Sequence, residues 1–300
     1  MAGNCYLSAI IVLYHTKMIR KLLMPVLLLL AEAVAGSQTI IPLPTGENGP
    51  NVEFEANDAY FNVSVPTLSV VPAVGVEGNA PAMLICPGGG YLSVGKDNEG
   101  FNVARYLSER GITCFVLKYR TRHLGTTKEE SLSRQRELFF EIFGEGFTPE
   151  GQLSADHAYE DALAAMELIR SRASELHVNP ERIGIVGFSA GALVAIRVGQ
   201  HHSEASAPNI VAPIYLWRNK DDSVPDDAAP LFLCAPQKDF CPTDMSYKLY
   251  KAWSERGLPA EIHVLSLAHH GHGYQNGSSP SDIWMDLFYS FLRNNKFTDR

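Results

Sequence analysis

Short runs of apolar residues recur along the chain from residue 82 onward, and segments with helical spacing lie between them. The runs are apolar at consecutive positions, which is typical of parallel strands covered on both faces. We predict six such strands, at Ala82–Cys86, Thr113–Lys118, Ile183–Gly187, Ile210–Leu216, Leu231–Ala235 and Glu261–Leu265. Residues 36–80 are rich in Pro, Gly, Asn and Val, and there we predict irregular structure with short strands at Val63–Val65 and Leu68–Val71.

The segments between the strands repeat apolar residues at spacings of three and four, which predicts amphipathic helices. The predicted apolar faces are Phe101/Ala104/Leu107, Ala162/Ala165/Met166/Ile169, Met245/Leu249/Trp253 and Trp284/Leu287/Phe288/Phe291. Buried strands that alternate with helices predict an α/β fold, with a mostly parallel central sheet and helices on both faces. Because the composition stays uniform and no internal repeat occurs, we assign residues 36–300 to one domain.

Residues 123–156 interrupt this alternation with a polar and charged segment. Within it, Leu138, Phe139, Phe140, Ile142 and Phe143 concentrate apolar bulk. We predict a small helical cap near the carboxyl edge of the sheet. The alternative is a surface excursion without function, because long insertions in surface loops cost little stability.

The N-terminal residues match a secretory leader. Arg20 and Lys21 precede an apolar run from Leu22 to Leu30, and Ala33-Val34-Ala35 gives the small-x-small pattern of a cleavage site. We expect Met18 to be the start, residues 18–35 to be a signal peptide, and the protein to be secreted or periplasmic without a stable membrane anchor. The run is shorter than the roughly 20 residues of a membrane span, although an anchor or a buried N-terminal helix is the alternative.

Charge and cysteine usage narrow the function classes. The formal net charge is -8 and Lys and Arg do not cluster, which argues against a nucleic-acid partner. Cys86 and Cys114 lie in apolar runs and are expected in the core, whereas Cys234 and Cys241 could pair in an oxidising compartment. No cysteine spacing fits a zinc site, and we expect no cofactor.

The segment Gly187-Phe188-Ser189-Ala190-Gly191 follows a predicted strand and opens a predicted helix. A serine at such a sharp turn is exposed for nucleophilic attack, and the flanking glycines remove side chains that would clash. The helix N-terminus also favours negative charge on the serine oxygen. The alternative role for Ser189 is a plain helix cap.

The segment Cys86-Pro87-Gly88-Gly89-Gly90-Tyr91 follows another predicted strand. Consecutive glycines leave backbone N–H groups bare, as an oxyanion hole requires. We predict donors at Gly88, Gly89 and Ala190, with Gly90 possible as a further donor. A flexible turn is the alternative, and the residues of a phosphate-binding loop are missing.

An acid and a base are expected at later strand ends. Asp239 follows the strand Leu231–Ala235, and its rival Asp244 is expected to cap the next helix. The loop after Glu261–Leu265 offers His269, His270 and His272. These residues can relay a proton from a serine. A metal site at the three histidines is disfavoured, because no carboxylate or Cys has matching spacing.

The motifs ICPGGGY, GITCFVLKYR, EDALAAMELIRSRASELHVNPERIGIVGFSAG and HHGHGY resemble secreted bacterial α/β-hydrolases of the acetylxylan-esterase-like, carbohydrate-esterase type. The resemblance spans about residues 60–295 and implies an α/β-hydrolase fold, a Ser189-Asp239-His270 triad and activity on esters of small acyl groups. Where the family pattern has Gly-Gly-His-Gly-Phe-Gly, this chain has Ala268-His269-His270-Gly271-His272-Gly273, which places the catalytic base on His270 and His272 at the aromatic position. Two further departures are Ala192-Leu193-Val194 after the serine motif and Lys238 before Asp239.

These residues predict a serine esterase that removes acetyl or similar groups from plant polysaccharide or oligosaccharide. One alternative is a serine peptidase of the prolyl-oligopeptidase type, which shares the fold and triad but usually has a large propeller domain for which residues 36–300 leave no segment. The other is a hydrolase-fold protein that binds without catalysis, against which the complete triad argues.

Overall fold

The computed structural model describes residues 39–47, 49–50, 52–143, 148–216, 219–239 and 243–299, leaving aside the side chains of residues 140–143. The expected signal peptide at residues 18–35 lies outside the described residues, as does Cys241. The compact unit Ile40–Arg300 holds a central sheet of eight strands and a small sheet of three. Among the residues described, no helix combines the length and the apolarity needed to cross a membrane.

The central sheet is mostly parallel, as predicted. Across the sheet its strands are β1 (Ile40–Pro42), β4 (Thr67–Val71), β7 (Thr113–Lys118), β5 (Ala80–Cys86), β8 (Val178–Phe188), β9 (Val211–Ile214), β10 (Leu231–Pro236) and β11 (Ala260–Leu265). The pairs from β7 to β11 are all parallel, whereas β4 is antiparallel to both β7 and β1. All six predicted apolar strands are therefore present, and their carboxyl ends share one edge.

Helices cover both faces of this sheet. They are α1 (Asn102–Ser108), α2 (Lys128–Phe143), α3 (Pro149–Ser171), α4 (Ala190–Gln200), α5 (Asp244–Glu255) and α6 (Ile283–Asn294). In β5, Leu84 packs in the core with α3, α4 and α5, and its neighbour Ile85 packs in the core with α1 and α6. This alternation explains why the strands are apolar at every position.

The C-terminal helix α6 shows how burial stabilises the assembly. Its residues Phe288, Phe291 and Leu292 are essentially inaccessible to solvent. Burying each such side chain contributes about 1.5–3 kcal/mol. The predicted apolar face of this helix is thus the face that meets the sheet.

The region before β5 differs from the prediction at one point. Residues 63–65 form no strand; the strands here are β2 (Phe54–Ala56) and β3 (Ala59–Phe61), which join β6 (Ser93–Gly95) in the small sheet. Val63 is buried, but its N–H donates to Thr121 Oγ1 and its carbonyl accepts from the Thr121 N–H. Its backbone therefore bonds to one residue, Thr121, and does not join the hydrogen-bond ladder of a β-strand.

The segment 123–156 contains α2 and the first turns of α3. Leu138 is buried, whereas Phe139 is exposed and lines a cavity described below. The side chains of Phe140, Ile142 and Phe143 lie outside the described part of the chain. Helix α3 begins at Pro149, where the Thr148 side chain accepts a hydrogen bond from the Gly151 N–H, which satisfies one of the donors left open at a helix start.

A buried ion pair joins α3 to the end of β7. The Asp161 carboxylate accepts hydrogen bonds from the Arg120 backbone N–H at 2.8 Å and from its Nε at 2.9 Å. The Thr45 hydroxyl donates to the same carboxylate at 2.6 Å. Both charged side chains are buried, and Arg120 also pairs with the exposed Glu160 at 3.1 Å. Removal of Arg120 would leave the Asp161 carboxylate buried without its cation, which is costly.

Candidate active site

Ser189 occupies the turn between β8 and α4 that the sequence predicted. Its φ of 53° and ψ of -114° lie in a region that residues with a side chain rarely adopt. The turn is tight, because a Cβ on Gly191 would stand 2.0 Å from the Cys86 carbonyl oxygen. The backbone conformation thus lifts the serine side chain out of both the strand and the helix.

The predicted base His270 lies within hydrogen-bond distance of both Ser189 and Asp239. His270 Nε2 is 2.8 Å from Ser189 Oγ, and His270 Nδ1 is 2.9 Å from Asp239 Oδ2. Asp239 follows β10, and His270 lies in the loop after β11, so all three stand at the carboxyl edge of the sheet. An ionised carboxylate only accepts hydrogen bonds, so beside it Nδ1 carries the proton and Nε2 is free to accept from the serine hydroxyl.

The two rivals for these positions are used differently. Burial lowers the pKa of His272 to about 4, and its Nδ1 donates to the His269 carbonyl at 3.0 Å. His272 is therefore a neutral side chain packed edge-on against Tyr215, with ring centroids 4.7 Å apart. Asp244 is the first residue of α5 and Thr243 holds the cap position, so the expected Asp244 cap is wrong.

The structure corrects the prediction that Gly88 is an oxyanion donor. The Gly88 N–H already donates to Glu99 Oε2 at 2.7 Å. Gly88 was chosen from the run of glycines alone, and the direction of its N–H depends on a carboxylate that the pattern does not reveal. The hydrogen bond to Glu99 therefore occupies this donor.

Gly89 and Gly90 are better placed as donors. The Gly88 carbonyl accepts from the Gly95 N–H at 2.9 Å, and the Gly89 carbonyl accepts from the Leu92 N–H at 3.1 Å. Because a trans peptide directs its N–H opposite to its carbonyl, the N–H groups of Gly89 and Gly90 point away from these bonds. Neither donates to another protein group among the described residues.

Ala190 supplies a further N–H at the same place. As the first residue of α4 it has no acceptor within the helix, and the helix dipole favours negative charge there. The Tyr91 hydroxyl donates to the Ala190 carbonyl at 2.9 Å, and the Tyr119 hydroxyl donates to the Pro87 carbonyl at 2.8 Å. These buried tyrosines tie the glycine-rich loop to α4 and β7.

Sequence reasoning missed the carboxylate of Glu99 altogether. Glu99 Oε1 accepts from the Tyr215 hydroxyl at 2.6 Å, and that hydroxyl accepts from the Gly273 N–H at 3.2 Å. Burial raises the pKa of Glu99, while the bonds from Tyr215 and Gly88 and the nearby His270 act in the opposite direction. Glu99 and Tyr215 are 116 positions apart, so no local motif signals the pair.

A cavity of about 430 Å³ opens over Ser189 and His270. Its wall combines polar side chains with apolar ones, among them Phe61 and, from the insert, Phe139. Besides Ser189 and His270, the polar residues that line it are Asn57, Asp58, Ser93, Lys96, Asn98, Glu99 and Gln135. Helix α2 of the insert therefore contributes to the cavity, and the hairpin β2–β3 forms another part of its wall.

The remaining questions from the sequence concern a metal site and the pairing of Cys234 with Cys241. Within the described ranges, no group of three or more His, Cys, Asp or Glu side chains is arranged to hold a metal ion. Cys234 is a free, buried thiol, and its possible partner Cys241 lies outside these ranges.

Comparison with known sequences gives two partial matches. Residues 149–271 match the profile of a family described as having the alpha/beta hydrolase fold. An acetylxylan esterase from Xylanibacter ruminicola is 28% identical over 110 residues, which is 37% of this chain and 17% of that protein. The match therefore spans about a sixth of the length of the curated relative.

Comparison with solved structures covers most of the chain. An acetyl ester-xyloside bifunctional hydrolase from Caldicellulosiruptor lactoaceticus superposes with a TM-score of 0.63 at 21% identity, over 87% of this chain and 97% of that one. Esterase 2 from Thermogutta terrifontis superposes with a TM-score of 0.60 at 18% identity, over 85% and 94%. The sheet order, the turn at Ser189 and these superpositions together identify the chain as a protein of the alpha/beta hydrolase fold.

Proposed function

We propose that this chain is a serine carboxylic-ester hydrolase that removes acetyl or similar small acyl groups from plant polysaccharide or oligosaccharide. The observation that carries the proposal is the position of His270, within hydrogen-bond distance of both Ser189 Oγ and the Asp239 carboxylate. A nucleophile, a base and an orienting acid in this relation are what acyl transfer to a serine requires.

In the proposed reaction, Ser189 Oγ attacks the ester carbonyl carbon as His270 Nε2 takes the hydroxyl proton. Asp239 holds the imidazole in the correct tautomer and stabilises its charged form. The tetrahedral intermediate collapses when the C–O bond of the ester breaks, and His270 passes the proton to the leaving alcohol. Water then attacks the acyl-enzyme with His270 as the base, which releases the acid and restores Ser189.

The negative charge on the carbonyl oxygen is assigned to the N–H groups of Gly89, Gly90 and Ala190. Donors that are fixed before the charge develops need no reorganisation in the transition state, and loss of one typically costs about 10²–10³ in kcat. The bonds to the Gly88 and Gly89 carbonyls support this assignment, because they fix the two peptide planes that carry the loop donors.

The carbohydrate substrate is supported by the cavity and by the relatives. Amide, carboxylate and ammonium groups beside Phe139 match the hydroxyl groups and ring faces of a sugar. Two similar proteins carry names that refer to acetylated xylan or to acetyl esters and xylosides. The proposal includes a secreted or periplasmic location, for which N-terminal sequencing of the mature protein should find a start just after Ala35.

The first test compares the purified protein with Ser189→Ala on p-nitrophenyl acetate. We expect the variant to lose nearly all release of p-nitrophenol while it keeps the wild-type melting curve. His270→Ala and His272→Ala form a matched pair, of which the first should abolish turnover and the second should chiefly lower stability. Hydrolysis that persists without Ser189, or that depends on His272 alone, would contradict the assignment.

The second test selects the acyl group and the substrate. Acetate release from acetylated xylan is measured beside ferulate release from feruloyl esters and cleavage of a proline-containing peptide anilide. We expect acetate release to be the fastest of the three per active site. Faster ferulate release would show that the preferred acyl group is ferulate rather than acetate. Faster anilide cleavage would show that the protein is a peptidase rather than an esterase.

A further inference from the structure

The turn Asp97–Phe101 contacts two loops: the one after β5 at residues 87–91, here called the glycine-rich loop, and the one after β11 at residues 266–274, here called the histidine loop. From this turn Glu99 Oε2 accepts the Gly88 N–H at 2.7 Å, and the Asn98 carbonyl accepts the Tyr274 N–H at 2.8 Å. The fit is close at Gly273, where a Cβ would stand 2.6 Å from the Asn98 carbonyl oxygen. One short turn therefore contacts the backbone of both loops that surround Ser189.

Tyr215 extends this connection. Its hydroxyl donates to Glu99 Oε1 at 2.6 Å and accepts from the Gly273 N–H at 3.2 Å. Its ring stands 5.1 Å from the ring of His270. Tyr215 has a φ of 39°, which is unfavourable for an aromatic residue. Local strain of this kind persists where the surrounding structure determines the position, and it is concentrated at functional sites.

Glu99 satisfies two hydrogen-bond donors with a carboxylate, whose burial costs free energy when it is charged. Glu99 is half-buried and lines the cavity, and both of its carboxylate oxygens accept hydrogen bonds from the protein. Burial raises its pKa, which means that the folded protein disfavours the charged form. A carboxylate with a perturbed pKa beside the candidate base His270 is typical of a functional site.

We propose that Glu99 is a positioning residue whose carboxylate holds the glycine-rich loop at Gly88 and, through Tyr215, the histidine loop at Gly273. In this arrangement the oxyanion donors and His270 keep one geometry around Ser189. The inference rests on the proposed serine-esterase function, because it concerns how that machinery is aligned.

The proposed effect on the loop follows from its peptide planes. Glu99 fixes the Pro87–Gly88 peptide through the Gly88 N–H, and Gly95 fixes the next peptide through the Gly88 carbonyl. The donor at Gly89 belongs to that second plane. Without the bond from Gly88 to Glu99, only the bond from Gly95 still holds this part of the loop, and the Gly89 N–H is directed at the oxyanion less firmly.

The test measures the reactivity of Ser189 with a fluorophosphonate probe, from which Ser189 Oγ displaces fluoride. This reaction uses the same histidine and oxyanion donors but needs no particular ester substrate. Two quantities are recorded for each variant: the fraction of protein that becomes labelled, and the labelling rate per reactive site. The kcat and KM for p-nitrophenyl acetate, per labelled site, are measured in parallel.

The variants are Glu99→Ala, Glu99→Gln, Tyr215→Phe and the control Tyr159→Phe. Tyr159 also donates a short hydrogen bond, to the His201 carbonyl at 2.5 Å, but it lines a different cavity. For Glu99→Ala we expect a loss on the order of 10²-fold in rate per site, as for a displacement of catalytic groups by about 1 Å. Glu99→Gln retains an acceptor and should recover all but about tenfold, with a similar loss in Tyr215→Phe. Tyr159→Phe should keep the wild-type rate.

A purely structural role would give a different result. It would lower the labelled fraction of Glu99→Ala and leave the rate per labelled site at the wild-type value, and that outcome overturns the inference. A wild-type protein that labels at Ser189 but hydrolyses no ester would refute the esterase proposal, while the labelling rates would still decide the role of Glu99. Failure of the wild-type Ser189 to label at all would refute both.

Discussion

Gly191, the second residue of α4, packs against the strand end that leads into the glycine-rich loop. A Cβ at this position would stand 2.0 Å from the Cys86 carbonyl oxygen and 2.5 Å from the Pro87 carbonyl oxygen. Both atoms belong to backbone, so no side-chain rotation can relieve the contact. We therefore expect Gly191→Ala to separate the turn at Ser189 from the loop that carries Gly89.

The size of the separation follows from the contact distances. Since Cβ atoms in proteins essentially never approach such atoms closer than 3.0 Å, the Gly191→Ala variant must open this contact by about 1 Å. Misplacing catalytic groups by about 1 Å can cost about 10²-fold in rate. Overpacking of a well-packed interior costs about 1–3 kcal/mol. We expect both losses together, with the rate as the more diagnostic of the two.

The control is Gly199→Ala, a substitution in the same helix. Its Cβ would stand 2.8 Å from a methyl group of Val211, which belongs to a side chain and can move. Urea unfolding gives the stability of each variant, and p-nitrophenyl acetate turnover per titrated active site gives the rate. Gly199→Ala should change stability and keep the rate. The reasoning is refuted if folded Gly191→Ala turns over at the wild-type rate per site.

Three further substitutions test other parts of the structure. Asp239→Asn should leave His270 in place but favour the wrong tautomer, with a loss of about 10⁴-fold in kcat measured under saturating substrate. Asp161→Ala removes the buried partner of Arg120 and leaves it only the exposed Glu160, so it should cost up to about 3–5 kcal/mol of unfolding free energy in urea titrations; a cost below about 1 kcal/mol would mean that Glu160 and water compensate the charge. Because the folded pKa of Glu99 is raised above its ordinary 4.5, wild-type stability should fall as pH rises through that raised pKa. The melting temperature of Glu99→Gln, relative to wild type, should therefore increase with pH above about 4.5, and a constant difference would contradict it.

The groups that face Glu99 all enter this pH argument. Tyr215 and the Gly88 N–H favour its charged form by hydrogen bonding, and His270 does so when protonated. Asp58 opposes the charged form. Burial outweighs the favourable contributions, so the net direction is upward. Stability assigned to Glu99 is accordingly present at low pH and lost at higher pH.

Much of the fold could be predicted because each strand is buried on two faces. A run such as Thr113–Lys118 is apolar throughout for that reason, and the structure has the strand with the same bounds. The turn at Ser189 was equally visible, since the strand, the two glycines and the helix all lie within a few residues. Local sequence sufficed where the decisive contacts were local.

Other features depended on contacts between distant residues. The Gly88 N–H could be assigned correctly only with knowledge of Glu99, which lies in the polar stretch Asp97–Phe101 that resembles a surface turn. Val63 is apolar and β-branched, yet it forms no strand because its backbone bonds to Thr121. Such outcomes depend on which segments the fold brings together, and a one-dimensional pattern does not contain that information.

Three unfavourable features meet around the cavity: the backbone of Ser189 at φ 53°, the backbone of Tyr215 at φ 39°, and the enclosed carboxylate of Glu99. The two backbone conformations are unfavourable for residues with a side chain, and burial disfavours the charged form of Glu99. Each nevertheless sets the direction of a group that acts in the proposed reaction, namely the nucleophile, the histidine loop and the oxyanion loop. A substitution that removes one of these features should therefore change the stability and the rate of turnover in opposite directions. Glu99→Gln is the cleanest case, because its stability relative to wild type should rise as pH increases above about 4.5 while it turns over more slowly per site. A variant that gains stability without loss of rate would show that the carboxylate is not needed for alignment.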